Sequence, residues 1–347
     1  MIYEMSINFG VAVYVSAFEK QRSMLEKLAK QNVPVFTSLH IGEEVSDTYV
    51  EDVQAMCDWL YHRGFSIMAD VSPYTLERFE VDSLADLVDQ LHLDNLRLDF
   101  GFNIQSLADE LQDVTLTFNA STILGEMKTP HESFYMHNFY PRPETGLDKE
   151  LFETLNKKIR EKKGKLLAFI SGDLEKRGPI YEGLPTLEHH RYLVPYAQYI
   201  DLIQTYEMDA VYLGDISLSD KQLELILQFQ KDGVVRLPVT FQEENKHLYH
   251  QLYTVRVDSP NGLIRVQESR EFAQSGKPIT PNKTMKRTRG SITMDNERYK
   301  RYSGEVQIMR KDYPADERVN VIGKIADEYL LLLNNLKNGQ QFMFLPE

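Results

Sequence analysis

The chain has 347 residues, of which 42% are hydrophobic and 26% are charged, a balance typical of a globular protein with a large buried core. Its formal net charge of −13 argues against nucleic-acid backbones and anionic membranes as general partners, and no apolar run approaches the length of a membrane span. Cys57 is the only cysteine, so no internal disulfide forms and a reducing cytoplasm is the expected compartment.

Eight short runs rich in β-branched and aromatic residues recur along the first two thirds of the chain, and nearly every run ends in a polar cluster. In chain order they are GVAVYVS from Gly10, VPVFTSLH from Val33, FSIMADVSP from Phe65, LRLDFGF from Leu96, TLTFNAS from Thr115, SFYMHNFYPR from Ser133, LLAFISGD from Leu166 and AVYLGD from Ala210. Amphipathic segments lie between most of them, at 19–30, 46–62, 83–91, 106–111, 148–163 and 219–231. This α/β alternation predicts a parallel sheet, and eight such units close a TIM-like (β/α)8 barrel whose active site is built by the loops after the strands.

Local signals predict where several helices begin and end. Asp148 and Ser219 are predicted N-caps, and Gly64 and Gly164 stand where helices should stop. Ser72, followed by proline, is predicted to open a further helix after the third run.

After Gly233 the pattern changes to alternating segments separated by Gly, Asn, Asp and Pro, with little helix between them. This sequence pattern is typical of a small antiparallel β-barrel. The sequence therefore predicts a barrel domain over residues 1–235 and a second domain over residues 240–347, with the boundary between Gly233 and Lys246.

Polar side chains at the ends of the third to fifth runs are candidates for chemistry. Arg97 and Asp99 lie two apart in LRLDFGF, so their side chains share one side of the predicted strand. A buried guanidinium and a buried carboxylate are costly unless they pair or meet a polar ligand. A structural ion pair or a helix cap would explain them, but the place of Asp99 at the strand's end favours a site. Asp70 lies at a similar position in ADVSP, and Asn119 either caps a turn or binds an amide or hydroxyl.

The segment HNFYPRPETGL is dense in hydrogen-bonding groups at a strand end. It carries His137, Asn138, Tyr140, Arg142 and Thr145, and its two prolines stiffen the backbone. The guanidinium fork of Arg142 suits a carboxylate or a phosphate, whereas a single histidine is more often structural.

The segment SGDLEKRGPIYEGLPTLEHHR, from Ser171, is long for a connection between a strand and a helix, which predicts a lid or a site loop. It carries Glu182, Glu188, His189 and His190, which do not have zinc-binding helical spacing, and no H-E-x-x-H or CxxC motif occurs. The sequence also lacks GxGxxG, GxxxxGK[ST] and GxSxG. We therefore expect no metal, no cofactor and no serine-hydrolase mechanism.

Five segments together make the chain recognisable: ADVSP, LRLDFGF, HNFYPRPETGL, YEGLPTLEHHR and RTRGSITMDNERYKRYSGEVQI. In this order, and over essentially the whole chain, it resembles the bacterial 6-phospho-N-acetylmuramidases, glycoside hydrolase family 170. The resemblance implies a TIM-like barrel followed by a cyclophilin-like β-barrel. It also implies that a cytosolic 6-phosphorylated disaccharide of N-acetylmuramic acid (MurNAc) and N-acetylglucosamine (GlcNAc), derived from cell-wall turnover, is hydrolysed to MurNAc 6-phosphate and GlcNAc. A homo-oligomer is compatible with the sequence.

The family's general motif positions map onto residues at the predicted strand ends and in the loops: Asp70, Arg97, Asp99, Asn119, His137, Asn138, Tyr140, Glu182 and Glu188. A glycosidase needs two carboxyl groups, and by analogy with other barrel glycosidases we favour Asp99 and Glu182, with Asp70 as the first substitute. The phosphate and the lactyl carboxylate of such a substrate require donors, for which the candidates are Arg97, Arg142, Thr37, Ser38 and Ser171.

Two other classes of function stay open at this point. A sugar-phosphate isomerase or epimerase shares this barrel, since paired carboxylates with a histidine also move protons next to a carbonyl. A non-catalytic protein that binds an anionic sugar is the second alternative. An aldolase is disfavoured because no predicted barrel strand ends in a lysine; Lys165 opens its strand.

Overall fold

The structure is a computed structural model that describes residues 9–29, 31–39, 46–98, 102, 111, 114–121, 133–270 and 278–347. It divides into two compact units, Met1–Gln222 and Leu223–Glu347. The predicted helix over residues 106–111 and the candidate Asp99 fall outside the described residues, apart from Leu111. No helix in the described ranges is both long and apolar enough to cross a membrane.

Eight parallel strands form a closed barrel in the first unit, which confirms the predicted fold class. They are β1 Phe9–Ala12, β2 Pro34–Ser38, β3 Ser66–Val71, β4 Asn95–Leu98, β5 Thr115–Asn119, β6 Phe134–Met136, β7 Lys165–Ile170 and β8 Ala210–Leu213. Neighbours in sequence are neighbours in the sheet, and pairing of β1 with β8 closes the barrel.

The helices alternate with most of these strands along the chain, and the last of them belongs to the second unit. They are α1 Phe18–Leu28, α2 Tyr49–His62, α3 Pro73–Arg78, α4 Leu84–Leu91, α5 Lys149–Glu161, α6 Pro195–Gln204, α7 Asp220–Asp232 and α8 Leu332–Asn335. Short 3-10 helices cover Val15–Ala17, Glu188–His190, Glu243–Leu248, Glu297–Tyr302 and Asp327–Tyr329.

The helices begin and end where the sequence predicted: α3 opens directly after Ser72, and α5 ends before Gly164. Asp148 accepts from the Leu151 N–H at 2.8 Å, Ser219 Oγ accepts from the Gln222 N–H at 3.3 Å, and Gly64 follows α2 with a φ of 78°. After α5, Lys163 takes the left-handed conformation, with a φ of 62°. Glycine is required next to it for space, because a Cβ at Gly164 would lie 2.6 Å from the Tyr135 ring.

Helix α6 was absent from the sequence prediction. Its segment PYAQYIDLIQ is buried from Pro195 to Leu202, so it lacks the exposed polar face that gives a surface helix its periodicity. A helix buried on all sides carries no amphipathic pattern, which explains the omission.

The barrel interior is apolar at its centre. Residues from six strands meet in one buried cluster: Ala12, Phe36, Met68, Met136, Phe169 and Tyr212. Because side chains alternate along a strand, residues two further towards the C-terminal end point to the same side as these. The next inward positions, at the end of the barrel where TIM-barrel active sites lie, are therefore those of Ser38, Asp70, Asn138, Ser171 and Gly214.

The second unit contains a seven-stranded sheet with the order β10-β15-β9-β14-β12-β13-β11. Its strands are β9 Val235–Phe241, β10 Leu252–Thr254, β11 Leu263–Arg265, β12 Ser291–Asp295, β13 Val306–Met309, β14 Val319–Ile325 and β15 Gln341–Pro346. A bridge between Val255 and Val266 joins the ends of the two edge strands, so the sheet curls on itself. The β9–β15 pair is parallel, unlike the antiparallel pairing predicted, because both pairings give the same two-residue alternation.

Candidate active site

A buried polar group lies at the C-terminal ends of β2, β3, β4 and β6. Ser38, Asp70 and Arg97 are at one level because Ser38 pairs with Asp70, and Asp70 with Arg97, in the parallel register. Arg97 Nη1 lies 2.8 Å from Asp70 Oδ1, and Ser38 Oγ donates to Asp70 Oδ2 at 3.4 Å. Arg97 Nη2 donates to Asn138 Oδ1 at 2.6 Å. The structure thus brings together four residues that the sequence singled out.

Ser38, Asp70 and Arg97 are each only 5% exposed, and Asn138 is half-buried. Within the described part of the chain, Arg97 Nε makes no hydrogen bond, and neither does the buried Ser171 Oγ at the end of β7. An unmatched buried polar atom costs about 1–3 kcal/mol, so a bound molecule that supplies an acceptor would relieve both atoms. The arrangement suits recognition of a polar or anionic ligand.

Glu182 belongs to a turn that packs against the end of β7. The turn has left-handed residues on both sides of Glu182, with a φ of 62° at Tyr181 and 88° at Gly183. A Cβ at Gly183 would lie 2.8 Å from Ser171 Oγ, so this backbone approaches the strand end closely. Glu182 is half-buried, and its Oε2 accepts from the Tyr192 hydroxyl at 3.4 Å.

Asp215 organises the same loop and was missed by the sequence reasoning. It follows β8, is fully buried, and accepts three backbone N–H groups: Gly172 at 2.8 Å, Arg177 at 2.9 Å and Leu184 at 3.2 Å. Burial raises the pKa of Asp215, and the three N–H donors oppose that rise. The available signal was the carboxylate at the end of the eighth run, AVYLGD.

Both carboxylate oxygens of Glu188 accept hydrogen bonds from groups of the protein itself. Arg191 holds it through two parallel hydrogen bonds, Nε to Oε1 at 2.7 Å and Nη2 to Oε2 at 2.6 Å. The backbone N–H groups of Glu144 and Gly146 also donate to it, at 2.9 and 2.8 Å. Chiefly through Arg191, the pKa of Glu188 falls to about 2. The geometry indicates a positioning role for Glu188, whose predicted contact with substrate stays a proposal.

Arg191 extends this clamp to the backbone on both sides of the loop. Its Nη1 donates to the carbonyl oxygens of Tyr140 at 2.9 Å and Gly183 at 3.1 Å, and its side chain is fully buried. The Glu188–Arg191 pair therefore ties the loop after β6 to the turn that carries Glu182.

Two sequence models of the 6-phospho-N-acetylmuramidase family match the chain. The model of the family's N-terminal part matches residues 9–228, and that of its C-terminal part matches residues 235–345. The chain belongs to the 6-phospho-N-acetylmuramidase family.

Two solved structures resemble this family member over nearly their full length. One is a conserved protein of unknown function from a locus in Enterococcus faecalis, 29% identical, with a TM-score of 0.82 and coverage of 98% of this chain and 96% of that one. The other is an uncharacterized B. cereus protein, 25% identical, with a TM-score of 0.79 and coverage of 98% and 99%. A search of curated proteins returned no match.

Breaking the Arg191 clamp in this family member should be strongly destabilising. In Arg191→Met the Glu188 carboxylate loses its cation and three backbone carbonyl oxygens lose a donor, so we expect the free energy of unfolding to fall by about 3–5 kcal/mol. Urea denaturation at pH 7 measures this change. Arg142→Met is the control, because its exposed side chain should contribute within about 0.5 kcal/mol. Equal stability of the two variants would contradict the clamp.

Thr37 and His137 lie on the other face of their strands. Thr37 alternates with Phe36 and Ser38, which point into the barrel, and its register partner is the outward Ala69. His137 faces α5, with Nε2 2.7 Å from Asn156 Oδ1. The structure does not bring these two predicted ligands to the barrel mouth.

Burial of His137 should make stability depend on pH. Burial lowers the pKa of His137 from 6.5 to about 4, against the raising effect of its hydrogen bond to Asn156. Between these values the unfolded chain binds more protons, so stability falls as the pH drops from 6.5 to 4, by about 3 kcal/mol from this residue. Urea denaturation between pH 7 and 4.5 should show a shallower loss in His137→Gln than in the wild type. Parallel pH profiles would refute the assignment.

The remaining predicted residues have mixed surroundings. Asn119 Oδ1 accepts from Ser121 N at 3.0 Å and from Ser121 Oγ at 2.7 Å, so it caps its turn, the first of its two predicted alternatives. Tyr140 is half-buried, which raises its pKa, and Arg142 is exposed. Both belong to the loop held by Arg191, whose Nη2 donates to the Arg142 carbonyl at 3.3 Å.

One group of metal-ligand type occurs among the described residues. His190 Nε2 lies 2.9 Å and His189 Nε2 3.5 Å from Asp201 Oδ2. A hydrogen bond from the buried His190 to Asp201 accounts for this arrangement, and it fastens the short 3-10 helix to α6. We assign no metal to it.

Proposed function

We propose that this protein hydrolyses the glycosidic bond of 6-phospho-N-acetylmuramyl-N-acetylglucosamine, releasing MurNAc 6-phosphate and GlcNAc in the cytoplasmic recycling of peptidoglycan. The observation that carries the proposal is the buried group of Ser38, Asp70, Arg97 and Asn138 at the mouth of a barrel whose sequence matches this family throughout. Active sites of TIM-barrel enzymes lie at this face.

Cleavage of a glycosidic bond needs one carboxyl group that protonates the leaving oxygen and another that attacks the sugar or activates water. We propose Asp99 and Glu182 for these roles, with Asp70 as the first substitute. A general acid must carry a proton, and a carboxylate 2.8 Å from a buried guanidinium is poorly suited to that role. As an anion, Asp70 would instead stabilise the positive charge that develops on the sugar ring.

Substrate binding needs donors for hydroxyl, amide and anionic groups. Arg97 Nε and Ser171 Oγ, which have no partner in the described part of the chain, support such a role at the ends of β4 and β7. Asn138 adds an amide beside Arg97. Ser38, Asn119, Tyr140 and Arg142 complete the proposed binding set around the mouth.

The test is to incubate the purified protein with the phosphorylated disaccharide in the presence of a chelator and to follow free GlcNAc by chromatography. Paired carboxylates complete the reaction without metal, so we expect release to continue under these conditions. Rearranged sugar phosphate without free GlcNAc would instead indicate an isomerase. Thermal stabilisation by an unchanged ligand would indicate a binding protein, and either result would overturn the proposal.

A further inference from the structure

The loops after β7 and β8 lie against each other with little space between their backbones. A Cβ at Gly172 would lie 2.5 Å from the Ser217 carbonyl oxygen, and a Cβ at Gly214 would lie 2.7 Å from that of Leu184. The Ser217 N–H donates to the Glu175 carbonyl at 3.3 Å. These two loops therefore form one rigid unit, and in TIM barrels the loops after strands 7 and 8 frequently form a phosphate site.

Arg177, in the loop after β7, places its guanidinium over an aromatic ring of the barrel interior. Its Cζ lies 4.2 Å from the centroid of the Tyr14 ring, a cation–π contact. Tyr14 is buried in the apolar cluster of the barrel interior, and its hydroxyl donates to the Gly214 carbonyl at 2.6 Å. The Arg177 N–H donates to Asp215 at 2.9 Å. Both the backbone and the guanidinium of Arg177 are thus positioned by residues that follow β1 and β8.

The placement of Arg177 complements that of Arg97. In a closed barrel whose eight strands follow in order, β4 lies opposite β8. Arg97 leaves β4 and pairs with the Asp70 carboxylate at 2.8 Å. A ligand that spans the barrel mouth from the β4 side would meet a second guanidinium on the opposite side, at Arg177.

We propose that Arg177 binds the 6-phosphate of the substrate and sets the preference for phosphorylated over unphosphorylated disaccharide. This inference rests on the proposed function and adds to it the residue that reads the phosphate. The planar guanidinium donates two parallel hydrogen bonds to phosphate oxygens, which a lysine ammonium does not reproduce. Half-burial of Arg177 strengthens those bonds relative to bulk water.

The neighbouring Lys176 provides a matched control. It carries the same charge on the same loop, but its ammonium lies 6.0 Å from the centroid of the Tyr192 ring rather than over Tyr14. Diffuse attraction of an anionic substrate would depend on both cations, whereas direct binding of phosphate depends on Arg177.

The measurement is the ratio of kcat/KM for the phosphorylated disaccharide to kcat/KM for its unphosphorylated counterpart. In Arg177→Met we expect this ratio to fall about 10–100-fold, mainly through KM for the phosphorylated substrate. Arg177→Lys should lie between Arg177→Met and the wild type, and Lys176→Met should change the ratio less than about 3-fold. Titration calorimetry of each variant with MurNAc 6-phosphate and with MurNAc gives the same comparison from affinity alone. Circular dichroism melting verifies that each variant is folded.

A folded Arg177→Met protein that keeps the wild-type ratio in both measurements overturns the assignment while leaving the proposed function intact. An equal loss in Lys176→Met overturns it in favour of diffuse electrostatics. A wild-type protein that releases no GlcNAc from the phosphorylated disaccharide overturns the proposed function, and this inference with it.

Discussion

Asp99→Asn is expected to lower the turnover number about 10²–10⁴-fold with little change in substrate affinity. The substitution preserves the shape of the side chain but removes both its charge and its titratable proton, so it removes general acid catalysis as well as nucleophilic or base catalysis. Steady-state kinetics with the phosphorylated disaccharide measure the change.

Asp70→Asn and thermal melting separate this result from a structural role. If Asp99 only supports the barrel mouth, Asp99→Asn should melt at a lower temperature and keep near-normal turnover in its folded fraction. Asp70→Asn should be destabilised in any case, because it leaves the buried Arg97 without its 2.8 Å partner. A folded Asp99→Asn protein that retains most of its turnover would move the catalytic assignment to Asp70.

Glu182→Gln is expected to reduce turnover by a similar factor, about 10²–10⁴, and to differ from Asp99→Asn in its response to the leaving group. A substrate whose leaving group needs no protonation bypasses the acid, so it should partly rescue the variant that lacks the acid and not the variant that lacks the nucleophile or base. An aryl glycoside of MurNAc 6-phosphate provides this substrate.

Tyr192→Phe controls for the surroundings of Glu182. It removes the hydroxyl that lies 3.4 Å from Glu182 Oε2 and leaves the carboxylate in place, so turnover should fall by less than about 10-fold. Rescue of both carboxylate variants by the aryl glycoside, or full activity of Glu182→Gln, would exclude this pair.

The sequence by itself determined the barrel fold and the end of the barrel at which the candidate site lies. Runs such as FSIMADVSP and LRLDFGF predict buried parallel strands, and one polar residue from each, Asp70 and Arg97, meet as an ion pair at 2.8 Å. The N-cap at Asp148 could also be predicted from the sequence, because its hydrogen bond joins residues only three apart in the chain. These features were accessible because each depends on a few adjacent residues: strand length, side-chain alternation or one capping hydrogen bond.

The direction of individual side chains was decided only by the tertiary structure. A barrel strand is buried on both faces, so the run VPVFTSLH does not distinguish the inward Ser38 from the outward Thr37. The same holds for His137, which packs against α5 although its neighbour Asn138 contacts Arg97.

The supports of the loops were also decided in three dimensions. Asp215 anchors the loop after β7 although it follows β8, and Arg191 collects carbonyl groups from two loops. The Arg177–Tyr14 contact joins residues far apart in the chain because β1 closes the barrel next to β8. No local pattern encodes such contacts, since they depend on which strand ends become neighbours when the barrel closes.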